Sequence, residues 1–176
     1  VNVQLVGGVV PTGDFTVDAT ADTFSLGGLT VALAGTVQRT AGTIDYRLTA
    51  SVAGTLLSGL DILSPSTVTL TRDGGLDLEA RARAFGVGLD VAGNFHATDN
   101  FTLTATADAV DIGGATVHLA GTVFRNSGGL DWGLSATVAN WQPVPFITVG
   151  SLAVGLNQAG IRFETAAEIA GIHNVH

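Results

Sequence analysis

The chain contains no cysteine, no methionine and no lysine. Without cysteine there is no disulfide framework, no thiolate nucleophile and no cysteine-based metal site. Charge is scarce too. Charged residues make up 12% of the chain, against about 25% in a typical globular domain, so Thr, Ser, Gly and Ala must cover the surface. All seven basic residues are arginine (Arg39, Arg47, Arg72, Arg81, Arg83, Arg125, Arg162), and fifteen acids outweigh them to a net charge of −8. That balance argues against a phosphate-neutralising surface, and so against nucleic acid as a partner. No run approaches the roughly 20 uncharged apolar residues of a membrane helix, and no signal-peptide pattern opens the sequence. Aromatics, at 6%, are too few for the two girdles of a membrane-spanning barrel. A chain free of cysteine and lysine suits export, which gives an expected location outside the cell or on its surface.

What the sequence does have is a repeat. The segment Gly27-Gly28-Leu29-Thr30-Val31-Ala32-Leu33-Ala34-Gly35-Thr36-Val37-Gln38-Arg39 lies over Gly113-Gly114-Ala115-Thr116-Val117-His118-Leu119-Ala120-Gly121-Thr122-Val123-Phe124-Arg125, an offset of 86 residues (125 − 39). The match runs without a gap from Val1 over Val87 to residue 54. After a divergent stretch it resumes one residue shorter, with Gly75-Leu76-Asp77-Leu78-Glu79 over Gly160-Ile161-Arg162-Phe163-Glu164. Two copies, 1–86 and 87–176, fill the chain with no linker, and Ala170-Gly171-Ile172 falls where a third would begin over Phe85-Gly86-Val87. The phase at both ends leads us to expect a piece of a longer array.

Within each copy the apolar residues alternate. Leu29, Val31, Leu33 and Val37 interleave with Thr30, Ala32, Ala34 and Thr36, the period of a strand with one buried face. The same alternation recurs in 15–21, 46–52, 76–82, 132–138 and 161–163. Between these runs stand Thr40-Ala41-Gly42-Thr43, Asn126-Ser127-Gly128-Gly129 and Asp73-Gly74-Gly75, whose Gly and Asn residues accept the positive φ of tight hairpins. The fold expected is all-β: an antiparallel meander of about 12–13 strands from two repeats of about 86 residues, forming one continuous sandwich, barrel-like sheet or stacked β-array.

Candidate chemistry is thin. Arg39 and Asp45 flank the first hairpin turn, and Arg125 and Asp131 flank the second, so a cross-strand ion pair closing each turn is expected in preference to a catalytic pair. Tyr46 and Trp132 occupy equivalent positions and read as core. His96 aligns with Val10 and His118 with Ala32, while His173 and His176 lie at the end without a third ligand, so no zinc site is inferred. Gly150-Ser151 lacks the spacing of a nucleophile elbow. Asp22/Asp108 and Asp45/Asp131 recur in both copies, yet no segment has the ligand pattern of a calcium loop; solvated turn aspartates are favoured over calcium, and no cofactor is expected. Enzymatic activity is not expected. The copies diverge most at Trp141-Gln142-Pro143-Val144-Pro145-Phe146, where two prolines cannot donate to a ladder. This segment reads as an edge or a long connection, with Trp141, Pro143, Pro145 and Phe146 as candidate ligand or partner contacts, set against aromatics that fold back to cap the sheet.

Three functional classes fit. The first is a structural or adhesive β-repeat module of a longer exported surface or filament protein, whose partners are neighbouring copies of the repeat or a homo-oligomer. The second is a carrier of an apolar lipid or pigment in a barrel or groove. The third is ice or glycan recognition through threonine-rich faces such as Thr69-Leu70-Thr71 and Thr102-Leu103-Thr104.

Overall fold

Period-2 alternation broken by Gly-bearing turns folds into hairpin after hairpin. The computed structural model describes residues 2–7, 13–96, 100–145 and 147–169. Its strands are β1 (Val3–Val6), β2 (Phe15–Ala21), β3 (Phe24–Leu26), β4 (Leu29–Val31), β5 (Ala34–Thr40), β6 (Thr43–Ser51), β7 (Gly54–Leu57), β8 (Leu60–Leu70), β9 (Leu76–Ala84), β10 (Val87–Phe95), β11 (Phe101–Ala107), β12 (Val110–Ile112), β13 (Ala115–Val117), β14 (Ala120–Asn126), β15 (Gly129–Val144), β16 (Ile147–Asn157) and β17 (Gly160–Ile169). No helix occurs among the described residues, and so none long and apolar enough to cross a membrane.

Thirteen strands form one antiparallel sheet in the order β1-β2-β5-β6-β8-β9-β10-β11-β14-β15-β16-β17, with β7 paired to β8. The sheet curls strongly into a half-barrel. Two small hairpins, β3–β4 and β12–β13, leave this path and pack their apolar residues, Leu26, Leu29 and Val31 in one and Ala115 and Val117 in the other, into the same core. That core is a single cluster running from Ala19 to Leu156. The turn between β5 and β6 has Ala41 and Gly42 at φ 48° and 82°, both left-handed as a two-residue hairpin of matching twist requires.

Strand boundaries recur at the sequence period. β2, β3, β4 and β5 begin at 15, 24, 29 and 34, and β11, β12, β13 and β14 at 101, 110, 115 and 120. Registers recur as well: Leu5 faces Ala19 as Val91 faces Ala105. Gly35 and Gly121 show why a residue type is held. A Cβ at Gly35 would run into the Arg47 carbonyl oxygen, and one at Gly121 into that of Gly133, so each glycine admits a close approach of the neighbouring strand's backbone.

Two local expectations change. The run from Leu29 to Val37 is not one strand; it breaks at Ala32-Leu33, where β4 leaves the small hairpin and β5 enters the main sheet. The Leu33 carbonyl accepts from Ala21 N–H at 2.9 Å, and in the second copy Leu119 accepts from Ala107 N–H at 2.8 Å. Burial still alternates through the corner, because alternation records which face a side chain takes and not which strand it pairs with. The segment around Trp141 is neither an edge nor a long connection. It lies inside the 16-residue β15, and Gln142 and Pro143 fall in a bulge between the Trp141–Val149 and Val144–Ile147 pairs. A bulge accommodates the missing proline N–H. In the first copy the same region is divided into β6 and β7, with the matching register shift on β7 between Thr55 and Leu57 and a second on β8 between Leu63 and Thr67.

Candidate interaction surface at the open sheet edge

Among the residues singled out from sequence, the turn arginines and aspartates form other partnerships. In the β5–β6 register Arg39 faces Ile44 and Gln38 faces Asp45, so Arg39 and Asp45 lie on opposite faces of the sheet and cannot close the turn. Asp45 instead accepts from Arg72 at 2.8 Å and from the Tyr46 N–H at 3.0 Å. The Arg72 hydrogen bond, helped by the backbone N–H, holds the Asp45 carboxyl below the usual aspartate range. In the second copy Arg125 faces Leu130 and Phe124 faces Asp131, the same opposite-face arrangement. Asp131 accepts from Gln158 at 2.8 Å and from the Trp132 N–H at 2.7 Å, while the Arg125 guanidinium lies 5.6 Å from the centre of the Phe101 ring. The spacing counted residues around a turn; the even-numbered period of the ladder decides the face.

Trp141 packs against the core, and its indole N–H donates to the Gly113 carbonyl at 3.1 Å, tying β15 to the tip of the β12–β13 hairpin. In the first copy the corresponding hairpin tip is tied by the Gly28 N–H, which donates to the Leu56 carbonyl at 2.9 Å. Trp141 is therefore a clasp within the fold. Pro143 is half-buried, Val144 and Pro145 are exposed, and Phe146 lies outside the described residues. His96 and His118 are exposed; His173 and His176 lie outside the described residues. Among the described residues no three His, Asp or Glu side chains are placed to hold a metal ion. Thr102 and Thr104 point outward, with the Thr104 hydroxyl donating to the Ala92 carbonyl at 2.9 Å, and the Thr71 hydroxyl is engaged by the Asp73 carboxylate.

What the sequence did not mark is the pair of sheet edges. β1 and β17 end the strand order and expose apolar side chains: Leu5 is 58% exposed and Phe163 53%. Their counterparts inside the sheet, Val91 and Leu78, are 0% and 1% exposed. Beside the β17 edge opens a cleft of about 230 Å³ lined by Val87, Val110, Ile112, Leu119, Val154, Leu156, Ile161 and Phe163. Only Asp111 adds an acidic group to that lining. The larger hollow of about 610 Å³, between the β14–β15 and β16–β17 turns, is wide open and lined by Asn126, Asp131, Asn157 and Gln158 among others. Comparison with protein-family models, curated proteins and solved structures returns no match to this chain.

Proposed function

We propose that the chain is a structural β-array module of an exported or cell-surface protein, one that extends a continuous sheet by adding copies edge to edge. The carrying observation is the junction between the copies. β9, the last strand of the first, pairs with β10, the first of the second, over nine residues from Val87↔Ala84 to Phe95↔Leu76, joined only by Phe85-Gly86. A sheet that crosses the repeat boundary without a linker propagates by nearest-neighbour contacts, as stacked repeats do. The low charge and small outward side chains leave little on the surface to oppose such packing. Sedimentation velocity and negative-stain electron microscopy across a concentration series test the reading. Mass and particle length should rise with concentration; a monomer of 17.8 kDa at every concentration would overturn it.

A second reading, a carrier of an apolar small molecule, draws on the cleft beside β17, whose lining is almost wholly aliphatic and aromatic. Native mass spectrometry of detergent-free material should then show a bound lipid or pigment, and a bare polypeptide mass counts against it.

A further inference from the structure

We infer that the β17 edge takes the β1 edge of a second copy of this chain, in the register that β9 and β10 already use, with Leu5 opposite Thr165, Val6 opposite Glu164 and Gly7 opposite Phe163. The inference rests on reading the chain as an array module and adds to it the surface, the polarity and the register.

Three observations carry it. The first is the contrast in exposure. Ile161 and Phe163 on β17 are 45% and 53% exposed, while Leu76 and Leu78, which hold the same places on β9, are each 1% exposed because β10 lies beside them. Leu5 on β1 is 58% exposed where Val91 on β10 is 0%. Each edge thus carries the apolar side chains that its internal counterpart buries, and each is the half of the junction that the other lacks. An edge of this kind is a template for pairing unless charge, proline or a covering element blunts it. Among the described residues nothing pairs with the outer side of β1 or of β17.

The second is complementary size. Across the internal junction Leu78 faces Gly93, and Gly93 packs against Leu103, 3.1 Å from where its Cβ would lie. Gly7 is the counterpart of Gly93, and its missing Cβ would lie 2.6 Å from Val17, the counterpart of Leu103. Phe163, larger than Leu78, therefore meets a glycine that the fold of β1 on β2 already requires. The third is identity of register. β1 on β2 repeats the pairing of β10 on β11 residue for residue, so a strand delivered to β17 by a second copy arrives in the geometry that β10 presents to β9. Two different edges meet, so the contact is heterologous and the assembly grows head to tail.

The chain has no cysteine of its own, so disulfide capture reads the register directly. Val6→Cys and Glu164→Cys place thiols on the outer face at positions matching Ala92 and Glu79, which are paired in the internal junction. Mixed single variants, checked for folding by circular dichroism and oxidised with copper phenanthroline, should give the Val6–Glu164 heterodimer at least tenfold over either homodimer. The double variant should give a ladder of multimers. Pairing Val6→Cys with Arg162→Cys, displaced by one period along β17, should fall at least tenfold. A fast-migrating monomeric product from the double variant, showing the chain closing on itself, would overturn the second copy as occupant. Concentration-dependent multimers without the 6–164 product would overturn the register and leave the array reading standing. A strict monomer in sedimentation would remove both.

Discussion

The two copies put different aromatics at one place, and the difference is one of hydrogen bonding. Tyr46 faces Val37, and its hydroxyl donates to the Thr71 carbonyl at 2.8 Å. Trp132 faces Val123 and is 2% exposed, yet its indole N–H is buried with no partner among the described residues. Tyr46→Phe should cost about 0.5–1.5 kcal/mol in urea unfolding, the net worth of one such bond. Trp132→Phe strands no polar group and loses only ring contact, so the two variants separate the hydroxyl from the packing. Acid sensitivity belongs to this scale also. Hydrogen bonds from Arg72 and the Tyr46 N–H lower the Asp45 pKa, and those from Thr71 and the Gly75 N–H lower that of Asp73, in each case from the ordinary 3.8. A carboxyl lowered on folding contributes stability that is fully present above its unfolded value and is lost as pH falls through the folded one. The thermal midpoint should therefore drop as pH falls below 3.8, with a shallower drop in Asp45→Asn, measured by calorimetry at matched ionic strength.

At the level of strands, the alternation of Val17, Ala19, Leu48, Leu76, Leu78 and Leu134 was enough to place them in the core, and all are buried. Pairing partners were less legible, because a period of two sorts faces without naming neighbours. That is why the corner at Ala32-Leu33 and the opposite-face placement of Arg39 and Asp45 emerge only in three dimensions. Ser66 is a further case. It is 2% exposed on β8 inside the irregular stretch, its hydroxyl accepts from the Arg81 N–H at 2.9 Å, and it donates to the Leu63 carbonyl. A lone serine in a divergent segment carries no such signal. Ser66→Ala leaves a buried N–H unmet and should cost about 1–3 kcal/mol. Gly35→Ala and Gly121→Ala should each cost about 1–3 kcal/mol, since the added methyl meets a backbone carbonyl that cannot yield without prying strands apart. Equal losses at the two sites in denaturant unfolding would show that the same close approach is needed in both copies; a neutral alanine at either would refute it.

For the whole molecule the question is whether two copies of a sequence make two folding units. The period is legible in the sequence, but exposure at the edges is not, because Leu5 and Val91 read alike until Val91 lies between two strands and Leu5, among the described residues, beside one. The β9–β10 junction buries Ala80, Ala82, Leu89, Val91 and Phe95 within a core cluster common to both copies, so separating them would expose apolar surface on each side. That coupling predicts a single cooperative transition. Both tryptophans, Trp132 and Trp141, lie on β15 in the second copy, so fluorescence follows that copy alone while far-ultraviolet circular dichroism follows the whole sheet. In urea the two probes should give coincident curves. Val91→Asp, which puts a charge at a fully buried place on β10, should part them, because burying an unpaired carboxylate costs more than the junction can hold together. Non-coincident curves in the unaltered chain would mean that each copy folds alone, and the continuous sheet would then be a contact between domains and not a shared core.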